Sequence, residues 1–206
     1  MVCTNVLRAS ALGEQDIHLF REGTHGRLYD KLGCHLDGDA AHFTVWAPNA
    51  EAVSVLGEFN DWTTGRDEAR SRGDGSGLWE ATVRGVSAGQ VYKYAIRSRD
   101  GELLMKADPF ARRAELPPAT GSVVWPGAAF AWGDGAWMDA RAKRDTLAAP
   151  MSVYEVHLGS WRRGEGGALL DYRSAARLLA DYAVRLGFTH VELMPVTEHP
   201  FYGSWG

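Results

Sequence analysis

Apolar and polar positions change rhythm partway along the chain. Between His42 and Trp125 they alternate in short runs: His42–Trp46, Ala52–Leu56, Leu78–Val83, Val91–Arg97 and Ser122–Trp125. A period of two sends successive side chains to opposite faces of a strand. Turn chemistry separates the runs: Ala47-Pro48-Asn49-Ala50 after the first, Gly57 to Trp62 after the second, and Gly85 to Gly89 as a hairpin between the third and fourth. Thr63 to Gly77, rich in Gly, Asp, Arg and Ser, reads as an exposed loop. Short strands at near-regular spacing predict an all-β, immunoglobulin-like antiparallel sandwich over residues 35–126. Ahead of it, residues 1–34 read as a leader, loose or briefly helical up to residue 18, followed by a loop with a turn. Residues 127–150, with Gly, Ala, Pro and aromatics, read as a linker.

After Pro150 the period lengthens. Met151–Leu158 is a strand candidate. Ala175, Leu178, Leu179, Tyr182, Ala183 and Leu186 follow the spacing of a core-facing helix. Asp171 or Ser174 can cap its start and Gly187 its end. His190–Val196 reads as a second strand. Strand, helix and strand make one βαβ unit, which belongs to a parallel sheet.

Composition removes several function classes. Apolar content of 45% with 23% charge fits a folded domain. A net charge of −4 with no run of Lys or Arg beyond two residues argues against a nucleic-acid partner. Cys3 and Cys34 are too few for a disulfide framework and read as free thiols in a reducing compartment. No apolar run nears the ~18 residues of a membrane span, and no secretory signal is visible. A soluble cytoplasmic protein is expected. Eight tryptophans are the unusual feature. Their flat faces suit the apolar faces of sugar rings, and they fill cores equally well.

Motif order narrows the reading. Trp46-Ala47-Pro48-Asn49-Ala50, Phe59-Asn60-Asp61-Trp62, Gly77-Leu78-Trp79, Tyr92-Lys93-Tyr94 and Lys106-Ala107-Asp108-Pro109-Phe110-Ala111 occur in that sequence. The order resembles the early-set glucan-binding domain that precedes the barrel in amylase-superfamily enzymes. Tyr154 to Trp161, Leu186 to His190 and Met194 to Gly206 are similar to the first βαβ unit of bacterial glycogen (1,4-α-glucan) branching enzymes. The resemblance implies retaining glycosyl transfer. An Asp attacks the anomeric carbon of an α-1,4-glucan, a Glu protonates the departing oxygen, and a 6-hydroxyl captures the segment to form a branch. Retention needs two carboxyls ~5–5.5 Å apart. In the family these come from later barrel strands, and an eight-fold barrel takes ~250 residues. Residues 151–206 are therefore expected to be the incomplete start of a (β/α)8 barrel, with no catalytic residue, cofactor or metal site in this chain. If the protein is an enzyme, a separate chain would have to supply the rest of the barrel.

The resemblance also nominates contact residues. Trp62 and Trp79 would stack on glucose rings while Lys93 donates to hydroxyls; alternatively Trp79 packs in the sandwich and Trp62 covers a turn. Asn60 is expected to fix its turn and secondarily to touch sugar. Trp46 is expected to face away from Phe43 and Val45, toward a core or a domain interface. Tyr202 to Gly206 resembles a loop lining the family's cleft, which makes His199 and Trp205 cleft-loop candidates. Glu155, Glu192 and Glu198 match no catalytic motif, and His157 with His199 lacks tight metal spacing. The expected function is the N-terminal part of a branching enzyme that binds α-glucan without catalysis. A stand-alone binding or bracing module, or a gene fragment without function, are the alternatives. Val153, Val156, Val191, Leu193 and Val196 are expected to have too few neighbours.

Overall fold

The computed structural model describes residues 11–127 and 131–197. The chain divides into two compact units, Met1–Ala128 and Ala129–Gly206.

The first unit opens with helix α1 (Glu14–Glu22). Nine strands follow: β1 (Gly33–Asp37), β2 (Ala40–Trp46), β3 (Ala50–Gly57), β4 (Asp67–Glu68), β5 (Arg70–Ser71), β6 (Leu78–Arg84), β7 (Val91–Ser98), β8 (Leu103–Lys106) and β9 (Ser122–Val123). One antiparallel sheet runs β1-β2-β6-β5. The other runs β4-β3-β7-β8, with β9 also on β7. Alternate residues of both sheets meet in one core: Ala41, Phe43 and Val45 of β2, Ala81 and Val83 of β6, Val53 and Val55 of β3, and Tyr92 and Tyr94 of β7. Phe43 meets Tyr92 edge to face, with ring centroids 5.2 Å apart. This is the expected immunoglobulin-like sandwich.

Its lead-in differs from expectation. α1 crosses the boundary between leader and loop, held at its start by the Gly13 N–H donating to Asp16 Oδ2 at 2.8 Å and stopped at Gly23 in the left-handed conformation. Leu12 and Ile17 pack with Leu32 and Leu78, joined by Phe20, Leu28 and Phe110. Leu78 points opposite to Ala81 and Val83, so α1 covers the outer face of the first sheet. Trp46 does face away from Phe43 and Val45. It stays 56% exposed, edge-on to Phe20, with its Nε1–H on the Ser76 carbonyl. The expected loop at 63–77 contains β4 and β5.

In the second unit, helix α2 (Gly135–Ala142) occupies the expected linker and buries no residue. Then come β10 (Val153–Val156), α3 (Leu158–Trp161), α4 (Tyr172–Leu186) and β11 (His190–Leu193). β10 and β11 are parallel. Asp171, of the two capping candidates, accepts from the Ser174 N–H at 2.8 Å, and Gly187 closes α4 in the left-handed region. Ala175, Leu179 and Ala183 are buried. Tyr154 packs at a tilt against Tyr182 and Phe188 and receives the Trp161 indole N–H at 3.0 Å. Val153, Val191, Leu193 and Val196 are exposed as expected, but Val156 is buried at 4% because it shares the face of β10 with Tyr154. Among the described residues, no helix is long and apolar enough to cross a membrane.

Candidate functional site

β7 sets up the site. Tyr92 and Tyr94 face the core, so Lys93 between them faces outward from the second sheet. Leu56 of β3 stands opposite Lys93, and the Lys93 ammonium donates to Thr120 Oγ1 at 2.7 Å. Farther along the same outer face, β8 places Met105 opposite Ala95 and Leu103 opposite Arg97. Met105 and Leu103 are 46% and 43% exposed. The face thus offers apolar surface beside cationic and hydroxyl hydrogen-bonding groups.

The turn after β3 brings Trp62 to the end of this sheet. The Trp62 N–H donates to the Gly57 carbonyl at 3.0 Å. Gly57 pairs with Tyr92, so Trp62 is anchored one residue pair from Lys93. Trp62 has φ 56° and Asp61 φ 54°, left-handed values that L-residues adopt at a cost. Asn60 holds them there. It is 1% exposed, its Oδ1 accepts from the Gly57 N–H at 2.9 Å, and its Nδ2 donates to the Val55 carbonyl at 2.9 Å and to Asp67 Oδ2 at 2.7 Å. A side chain so enclosed shapes the turn rather than presenting itself to a ligand. Gly57 is required because a Cβ there would collide with the Val91 carbonyl. Trp62 itself is 42% exposed.

Trp79 lies elsewhere. It belongs to β6 of the first sheet, on the inward side with Ala81 and Val83, packs against the core, and donates its Nε1–H to the Ala47 carbonyl at 3.0 Å. The structure therefore anchors the Trp62 backbone one register pair from Lys93 at one sheet and leaves Trp79 in the other. His199, Trp205 and Glu198 fall outside the described residues. His157 sits at the start of α3, its Nδ1 2.8 Å from Ser160 Oγ. Glu155 and Glu192 are register partners on the face opposite Tyr154. Among the described residues no group of His, Cys, Asp or Glu is placed to hold a metal. A cleft between α1 and the 72–74 turn is lined by Arg21, Arg72 and Asp74, whose charges engage one another.

Leu103, Met105 and Thr120 escaped the sequence reading. So did the role of Asp108, which is buried at 5% exposure. One of its carboxylate oxygens accepts from the Tyr92 and Tyr94 hydroxyls at 2.7 and 3.2 Å, and the other from the Phe110 N–H at 2.8 Å. Burial raises the Asp108 carboxyl above its ordinary range against the pull of these donors. Burial, with Asp108 nearby, also pushes the Cys34 thiol up to about 12, so Cys34 is an unreactive core thiol.

Comparison with known proteins adds to this geometry. Residues 31–111 match carbohydrate-binding module 48, the isoamylase N-terminal domain. Over 197 residues the chain is 62% identical to the 1,4-alpha-glucan branching enzyme of Aromatoleum aromaticum, spanning 96% of this chain and 31% of that protein. The branching enzyme of Aquifex aeolicus is 48% identical over 203 residues, 96% of this chain and 32% of its own. The chain thus spans about a third of the length of the curated relatives it matches. A putative alpha amylase from Salmonella typhimurium superposes with a TM-score of 0.59 at 25% identity, over 85% of this chain and 26% of that one. A type I pullulanase from Bacillus subtilis, complexed with maltose, shares the fold with a TM-score of 0.56 at 23% identity, over 81% of this chain and 24% of that one.

Proposed function

We propose that this chain, which belongs with the N-terminal portion of the 1,4-alpha-glucan branching enzymes of the α-amylase superfamily, holds α-glucan on the outer face of its second sheet. The observation that carries this reading is Trp62. An exposed indole kept in a left-handed backbone by a buried asparagine adds little to the core and costs conformational energy, a combination that marks functional positions. Its ring would stack on a glucose unit, Lys93 and Thr120 would hydrogen-bond the hydroxyls, and Leu103 and Met105 would receive the apolar side of the chain. Trp79 supports the sandwich instead.

For the whole protein we propose the family reaction, moving an α-1,4-glucan segment to a 6-hydroxyl in glycogen biosynthesis. The parallel β10-α4-β11 unit favours residues 151–206 as the start of its (β/α)8 barrel, with His199 and Trp205 on a cleft loop. The exposed Val153, Val191 and Leu193 then become contacts for further barrel strands, on this polypeptide or a separate one. We assign no catalytic residue within this chain.

Native gels containing glycogen test the binding reading. The protein is expected to be retarded, Trp62→Ala and Lys93→Ala to lose the retardation, and Trp79→Phe to keep it. Equal retardation of the Trp62→Ala protein would overturn the site.

A further inference from the structure

Two tyrosines flank Lys93 in sequence, and both send their hydroxyls inward to one oxygen of Asp108. The Asp108 N–H also donates to Ser122 Oγ at 2.8 Å. Ser122 belongs to β9 and pairs with Tyr92, so the segment preceding it continues alongside β7 past Lys93. Gly121 is buried there, and a Cβ on it would strike the Val91 side chain and the Glu115 carboxylate. The segment therefore lies flush against β7. Glu115 closes the loop by accepting from the Gly121 N–H at 2.8 Å and donating its own N–H to the Gly121 carbonyl at 3.0 Å. Thr120 is the next residue out, and it meets Lys93.

We propose that Asp108 is a positioning residue for the Lys93–Thr120 pair: its carboxylate grips the two tyrosines that flank Lys93, its main-chain N–H holds Ser122 of the arm that carries Thr120, and together they fix the spacing of the ammonium and hydroxyl offered to a saccharide. This deepens the glucan-binding reading and rests on it. The pair holds two hydrogen-bonding groups one hydrogen-bond length apart, a match for adjacent hydroxyls of a pyranose ring. A lysine ammonium has three donors and Thr120 takes one, so donors remain for a ligand. Without the grip, each group is free to turn to water, and a ligand must order both before it binds.

The test compares four full-length proteins: wild type, Asp108→Asn, Thr120→Val and the double variant. Each is measured for glycogen affinity below its melting temperature and for thermal stability. Asp108→Asn and Thr120→Val are each expected to weaken binding by about tenfold, the worth of one charge-assisted hydrogen bond. The double variant should bind no more weakly than Thr120→Val alone, because Asp108→Asn, which keeps the main-chain N–H on Ser122, loosens the tyrosines beside Lys93 and so acts on affinity only through the pair that Thr120→Val already removes. Melting temperature should fall with Asp108→Asn equally in either background. A purely structural aspartate would lower the melting temperature and leave affinity unchanged, or weaken it additively, and either result overturns the proposal. Ser122→Ala cuts the link to the arm while leaving the tyrosines their acceptor. It is expected to reproduce the loss of affinity even if Asp108→Asn does not fold, and unchanged affinity in it counts equally against the proposal. Failure of the wild type to bind glycogen would remove the glucan-binding reading and this inference together. Wild-type binding with unaltered variants would remove the inference alone.

Discussion

Asn60 commits both ends of its amide inside the turn that carries Trp62, to Gly57, Val55 and Asp67. Replacing it with Ala leaves a buried N–H and a buried carbonyl without partners, and each such group costs about 1–3 kcal/mol. Asn60→Ala is therefore expected to destabilise the protein by about 2–4 kcal/mol in urea unfolding. Trp62→Gly should do the opposite to stability. Gly adopts the left-handed conformation freely, which recovers about 1 kcal/mol of backbone strain. Unfolding stability held or raised, with glycogen retardation lost, is the expected outcome; a large loss of stability would mean that Trp62 packs rather than binds. The turn-fixing role of Asn60 was legible from its residue type alone. That of Trp79 was not, because Leu78 and Trp79 are both apolar and alternation cannot rank two apolar faces. Leu78 is buried under α1, and only the helix reveals that the outer face of β6 is covered.

At the scale of elements, α4 announced itself through six apolar positions at helical spacing with a cap at each end. α1 did not, because Ile17 is its single buried residue and Ile17, Leu19 and Phe20 are too few apolar positions to mark a helical period. What secures it is partly electrostatic. Asp16 accepts from the Gly13 N–H and lies 3.0 Å from His25 Nε2 and 3.1 Å from Lys31 Nζ. Partial burial pushes its carboxyl up, but the hydrogen bonds from His25, Gly13 and Lys31 outweigh that and hold it at about 2, below the ordinary 3.8. A depressed folded-state value contributes stability that is complete above the unfolded value and fades as pH falls. The docking of α1 should thus weaken between about pH 4 and pH 2. Trp46 fluorescence, sensitive to Phe20 beside it, reports the change, and Asp16→Asn should flatten the titration. An unaltered titration in that variant would show that a group other than Asp16 governs the acid transition. β8 escaped notice for another reason: Leu103, Leu104 and Met105 run apolar without alternation, and two of them face solvent on the proposed glucan face.

At the scale of the whole molecule, the two units carry unequal cores. The sandwich unit buries Phe43, Tyr92, Tyr94, Val53 and Val55 between its sheets and seals one outer face with Leu12, Ile17 and Leu32. In the second unit the buried apolar side chains among the described residues are Val156, Ala175, Leu179 and Ala183, mostly small. Its two parallel strands leave Val153, Val191 and Leu193 more than 40% exposed, whereas parallel sheets ordinarily have both faces covered. Stability follows buried apolar area, so the second unit should open first. Limited proteolysis is expected to remove residues from 129 onward early and leave a resistant core. The start of that core is the discriminating observation. Strand rhythm alone places it near residue 35, but Leu12 and Ile17 lie under the same cover as Leu78, so cleavage before α1 is the expected result, with the mass of the fragment as the measure. A fragment beginning after Gly23 would mean that α1 exchanges off the sheet faster than the protease cuts. The outer face of β2 and β6, with Trp46 and Leu78, would then be open to solvent for part of the time.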